Sequence, residues 1–222
     1  KLAINFSNQS QSSYVPEIIK ITSKDIAHKL YEEAKDSSSL YIDIETTSLN
    51  VFSEDFGIRL VGLQTKKDHP IYQLDIENPP PDLNEVLSII RDMVTDPSIR
   101  KIAHEVKFDI LALARLLNIK SIDDLLSGQI DDTIIKHYLI NENIPHSLEY
   151  ISTDFPRYAG YKQRYTSGYS SPSEMPMDIL SQYNAIDVDI VSTIDEQFTE
   201  KLHTLALDFP YYKLLRPVVK VY

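Results

Sequence analysis

The chain has 222 residues, 42% hydrophobic and 25% charged, as expected of one globular domain of this length. It contains no cysteine, which excludes a disulfide framework, a thiolate metal site and a cysteine nucleophile, and its 33 acids against 22 bases exclude a simple basic nucleic-acid-coating protein. No run reaches the roughly 18 apolar residues of a membrane helix and the first residues hold no apolar signal core, so an intracellular protein without a membrane partner is expected.

Residues 1–17 read as a polar lead-in, Ser-, Gln- and Asn-rich over Asn5–Ser13. Ile18–Thr22 is a predicted strand, and Ser23 caps a helix running to about Lys35. Leu40–Glu45 is a second strand. Ile58–Thr65 and Ile71–Leu74 flank Lys66–Pro70 as a hairpin, which stops at Asn78–Pro81. Leu83, Val86, Leu87, Ile90 and Val94 recur at helical spacing. Arg100–His104 reads as a strand before a helix, and Ile130–Asp131 as a strand end before another helix reaching about Ile140. Residues 153–173 lack apolar periodicity and are expected to be a long structureless loop, functional or mobile. Met177–Phe198 is a long amphipathic helix, and Pro210–Tyr222 begins something new and apolar. Strands alternating with helices argue for an α/β fold with a mixed sheet.

Three acidic motifs stand out. In the strand Leu40–Glu45, Leu40, Ile42 and Ile44 face one way and Tyr41, Asp43 and Glu45 the other. Two carboxylates about 7 Å apart on one face can converge on one divalent cation. A second D-x-E, Asp75-Ile76-Glu77, runs into Asn78-Pro79 and reads as a solvated strand end. Asp109 opens a helix, where the helix dipole favours a carboxylate by about 0.3–1 kcal/mol; an ordinary first-turn acid would look the same. Tyr183 and Asp187 are i and i+4 on a helix whose stripe is otherwise Leu180, Val191, Ile194 and Phe198. An acid on such a stripe needs a cation, a donor or a raised pKa. Like charges about 4 Å apart repel by roughly 4 kcal/mol at an effective dielectric of 20, which divalent cations relieve.

In this order the motifs resemble those of the DEDDy 3′–5′ exonucleases, within the ribonuclease H-like superfamily. YIDIETTSLN is similar to their first motif, HEVKFDILAL to the second and YNAIDVDI to the third. The likeness is greatest to the proofreading domain of family A, polymerase I-type DNA polymerases. It implies a ribonuclease H-like exonuclease domain over residues 18–205, with 206–222 leading into a fused polymerase, and hence a piece of a longer polypeptide. It implies hydrolysis of a single-stranded or frayed DNA 3′ end with two divalent cations, Mg²⁺ or Mn²⁺, by a monomer. Asp43, Glu45, Asp109 and Asp187 are the implied metal ligands. Tyr183 holds the attacking water, and Gln182, where the other subtype has histidine, places the chain in the tyrosine subtype. Thr46 and Leu49 match positions that contact and wedge the terminal nucleotide, and His104, Glu105 and Phe108 lie with the substrate-side positions of the second motif. As metal ligands, His104 and His146 are not expected. The family usually has Asn where this chain has Glu105; a carboxylate cannot donate as an amide can.

Arg157, Lys162 and Arg164, interleaved with tyrosines, are expected to guide a single strand. Two other readings stay open: a stand-alone ribonuclease D-like exonuclease acting on RNA or DNA, and an inactive scaffold supporting a polymerase.

Overall fold

The structure, a computed structural model, describes residues 12–125 and 128–218. In chain order it runs β1 (Ile18–Lys20), α1 (Lys24–Ser37), β2 (Ser39–Thr46), β3 (Ile58–Gln64), β4 (Ile71–Asp75), α2 (Leu83–Thr95), β5 (Arg100–Ala103), α3 (Val106–Leu116), α4 (Ile122–Leu125), β6 (Ile130–Asp132), α5 (Thr133–Ile140), α6 (Leu148–Ser152), α7 (Tyr161–Thr166), α8 (Met177–Thr204) and α9 (Arg216–Val218). The strands form one mixed sheet in the order β1-β4-β3-β2-β5-β6. β3 runs antiparallel to both its neighbours, and the other pairs are parallel.

The period-two alternation of β2 divides the molecule. Leu40, Ile42 and Ile44 bury themselves with residues of α1, α2 and α3 on one face. Tyr41 meets Ala185, Val188 and Val191 of α8 on the other. Asp43 and Glu45 share that second face, so the strand directs its carboxylates at α8.

α8 is more deeply placed than an amphipathic reading suggests. Its sheet side is buried by β2 and β3, and its outer side by Ile151, Tyr158, Tyr161 and Tyr165. That outer layer corrects the expectation of a structureless 153–173 segment. The segment contains a 3-10 turn at Pro156–Tyr158, α7, and a second 3-10 turn at Pro172–Glu174. Its apolar surface is tyrosine rings, each of whose hydroxyls finds a partner on α8, and aliphatic periodicity does not register them.

Ser23 precedes α1, but its side chain makes no cap bond; Asp82 Oδ2 accepts the Lys24 N–H instead, at 2.8 Å. After α8 the chain packs back on β6. A π-helical stretch, Pro210–Leu215, buries Tyr211, whose hydroxyl donates to Asp131 Oδ1 at 3.1 Å, and Arg216 pairs with the same oxygen at 2.8 Å. Residues 1–11 of the expected lead-in and the chain end over 219–222 lie outside the described residues. Among the described residues no helix is long and apolar enough to cross a membrane.

Candidate active site

Asp43, Glu45 and Asp187 converge. Each offers a carboxylate oxygen, and these oxygens lie within 4.8 Å of one another. β2 supplies the first two at i and i+2; α8 supplies the third. A register shift between Glu45 and Thr46 ends the regular pairing of β2 with β3 and releases the chain into the loop carrying Leu49. Glu45 and Asp187 are buried, while Asp43 is partly open to solvent.

The trio is held by neutral donors. Asn184 Nδ2 donates to Asp43 Oδ2 at 2.7 Å and to the Asp43 carbonyl at 3.1 Å. Asn184 Oδ1 in turn accepts from Gln73 Nε2 at 2.9 Å. The Tyr161 hydroxyl donates to Asp187 Oδ1 at 2.7 Å, and the Tyr183 hydroxyl lies near enough to the same carboxylate to lower its pKa. The two tyrosine rings stack, with centroids 6.1 Å apart and planes 17° from parallel.

Lost solvation raises all of these acids, and neighbouring negative charge adds to it for Asp43 and Glu45. Burial and then the Asp187 charge push Asp43 up to about 8. Burial pushes Asp187 up to about 6, against the donors Tyr161 and Tyr183. Glu45 rises well above the usual range through burial and the charges of Asp43 and Asp187. The Tyr183 hydroxyl is pushed up by burial and by the three acids.

Asp109 is buried in the first turn of α3 and stands outside the trio. Burial raises its pKa, with Asp43 the largest charge acting on it and the Ile44 N–H opposing. The turn before it is held by Asp132, whose carboxylate accepts the Glu105 N–H at 3.3 Å, the Val106 N–H at 3.1 Å and, as cap of α5, the Ile134 N–H at 2.8 Å.

A family model of 3′–5′ exonucleases matches residues 18–203. The chain belongs to the 3′–5′ exonuclease family. Solved structures agree on the fold. Escherichia coli RNase D, described as an exoribonuclease involved in structured RNA processing, is 17% identical with a TM-score of 0.62, covering 92% of this chain and 50% of that one. Brucella melitensis NrnC with bound Mg²⁺ is 17% identical at 0.62, over 93% and 89%. Pol1 from M. smegmatis, complexed with DNA primer-template and dNTP, is 13% identical at 0.59, over 88% and 29%. No curated protein sequence matches the chain. These likenesses show the ribonuclease H-like exonuclease fold.

Within this 3′–5′ exonuclease fold, the remaining positions singled out in the sequence divide into two groups. Leu49 is almost fully exposed at 88%, and Thr46 bonds the Ser48 carbonyl at the start of the same loop. Lys162 is partly exposed, and its charge lowers the pKa values of Asp43, Glu45 and Asp187. Glu105 is exposed beside Asp109. The others are tied inward. Arg157 bonds Asp68, Thr193 and Asp189, and Arg164 donates to the Tyr14 carbonyl. Phe108 packs edge-to-face on Phe56, with centroids 6.4 Å apart. His104 Nδ1 contacts Thr133 Oγ1 at 2.8 Å, and burial lowers its pKa to about 4. Glu77 of the second D-x-E pairs with Arg59, at the end of β3 that lies against Glu45 and Thr46.

Asn184 and Asp132 are not marked as site residues by the sequence, and Tyr161 is one of the tyrosines interleaved with the expected strand-guiding cations. Asn184 sits inside the third motif with nothing in its spacing to mark it. The donor set of the trio is all oxygen, close-set and largely buried, which suits a hard divalent cation.

Proposed function

We propose that the chain hydrolyses single-stranded nucleic acid from the 3′ end as a stand-alone exonuclease of the RNase D and NrnC kind. The observation that carries this reading is the convergence of Asp43, Glu45 and Asp187 beside Tyr183. Water attacks the phosphorus of the 3′-terminal phosphodiester. The bond to the leaving 3′-oxygen breaks, the proton given up by the attacking water passes to solvent and the 3′-oxygen takes one from solvent, and a 5′-nucleoside monophosphate departs. Asp43, Glu45 and Asp187 would hold one divalent cation, Mg²⁺ or Mn²⁺, and Asp43 with Asp109 would hold a second. When bound, such cations polarise the phosphoryl oxygen and lower the pKa of water. Tyr183 keeps its proton beside three carboxylates, so its hydroxyl orients the water and does not act as a base. Leu49 and Thr46 receive the terminal nucleotide, and Lys162 is the cation of the 153–173 segment that faces its phosphates.

A proofreading domain acting on frayed DNA is the second reading, favoured by the likeness to Pol1. Of the three structures named, RNase D and NrnC share more identity and a higher TM-score. An inactive scaffold is disfavoured by the cost of burying clustered like charges with no cation to relieve them.

The test uses 5′-labelled RNA and DNA of one sequence, with Mg²⁺ or Mn²⁺, against EDTA and D43A controls. An RNA ladder shortening from the 3′ end, absent in both controls, is expected. Preference for a mispaired DNA primer end would move the assignment to proofreading. Intact substrates of both kinds, with folded protein, would sink the exonuclease reading.

A further inference from the structure

The trio contains an attachment that the acids alone do not require. Asp187 Oδ1 accepts a short bond from the Tyr161 hydroxyl, 2.7 Å, the length of a charge-assisted O–H···O⁻ contact. We infer that Tyr161 is a positioning residue: it fixes the Asp187 carboxylate with one oxygen bound to the protein and the other left for the cation. The inference rests on the metal-site reading above.

Three observations support it. First, Tyr161 is buried, 2% exposed, and stacked on Tyr183, so its hydroxyl cannot turn to water. A ring needed for packing alone could be phenylalanine; a buried hydroxyl needs a partner, and the partner here is a ligand. Second, the helix carrying it is pinned on both sides of the contact. Before it, Gly160 adopts φ +68°, and Tyr158 donates to Asp189 Oδ2 at 2.7 Å while Arg157 bonds Thr193 at 2.7 Å. After it, Tyr165 donates to Gln182 at 3.1 Å. The segment thus grips α8 at 182, 189 and 193, around position 187. Third, Asp187 comes from a helix and its two partners from a strand, so nothing within β2 sets the rotation of its carboxylate.

Groups that orient a metal ligand typically change affinity 10- to 100-fold when removed. The test is a Mn²⁺ titration by calorimetry of the full chain and of Y161F, Y165F and D43A, with circular dichroism of each. Y161F should keep its fold and bind Mn²⁺ about 10- to 100-fold more weakly. Y165F lies on the same helix, one turn on, and should bind as the parent does. Parent affinity in Y161F would overturn the inference, as would an equal loss in Y165F. Unfolding of Y161F would also overturn it, because the hydroxyl would then be a contact of the fold. A parent chain that binds no Mn²⁺ would instead overturn the metal-site reading, and this inference with it; binding abolished in D43A locates the site.

Discussion

Glu105 occupies a conformation its side chain does not favour. It stands at φ +72°, ψ 49°, immediately before α3, and its side chain makes no cap bond. The left-handed region costs a residue with a β-carbon about 1–2 kcal/mol, and less for Asn, whose short amide bonds locally. Asn is also the residue the exonuclease resemblance places there. Asp132 takes the backbone N–H groups of the turn and so holds it regardless of which residue is present. The Glu105 charge, meanwhile, adds to those raising Asp109. E105N should therefore raise the unfolding free energy by about 0.5–1 kcal/mol and tighten single-strand binding, since a negative charge leaves the proposed phosphate path. Urea melts and oligonucleotide titrations measure both. A loss of stability would contradict the strain account, and unchanged binding would remove Glu105 from the substrate path.

At the scale of elements, the site depends on how closely β3 approaches α8. Gly62 pairs with Asp43 across the sheet. A β-carbon on Gly62 would overlap the Asn184 amide and come within 2.8 Å of Val188 Cγ2. Asn184 is the residue that grips Asp43, so crowding at Gly62 reaches the carboxylate trio through one side chain. G62A should cost about 1–3 kcal/mol through overpacking. A misplacement near 1 Å can cost about 100-fold in rate, so activity should fall by about that order. A thermal melt and an initial rate on labelled RNA suffice; parent-like values for both would show that α8 yields without disturbing Asp43. Much of this arrangement was legible in the sequence. Period-two alternation told which side of β2 carries the acids, and i, i+4 spacing put Tyr183 over Asp187. Asn184 was not legible, because its neighbours place it on the same buried helix whether it grips a carboxylate or merely packs. The tyrosine brace was missed for a different reason. Its burial rests on rings with polar tips spaced irregularly through a Ser- and Gly-containing segment, which reads as loop.

The whole molecule carries two opposed sets of carboxylates, buried or partly so, and they set its pH dependence. Asp131 is paired with Arg100, Lys136 and Arg216, and those cations hold its carboxyl below the usual range. Its contribution is present above the ordinary carboxylate value and is lost as pH falls through the depressed one. The site acids do the reverse. Asp43 at about 8 and Asp187 at about 6 sit above their ordinary value of 3.8, so the folded state prefers them protonated. Their contribution is complete below that value and is lost as pH rises toward about 8. Metal-free protein should therefore melt at progressively lower temperature between about pH 5 and about pH 8. A divalent cation pairs with the ionised forms and stabilises the fold by mass action. Saturating Mn²⁺ should flatten that decline, and the gain in melting temperature should be larger at the alkaline end. D43N, which removes one of the raised acids, should shrink both the decline and the gain. Melting curves across the range, with Mn²⁺ and with EDTA, decide the matter. A metal-free melting temperature that holds or rises over that interval would mean that the carboxylates ionise without penalty, and that the trio is not the strained, cation-demanding cluster described above.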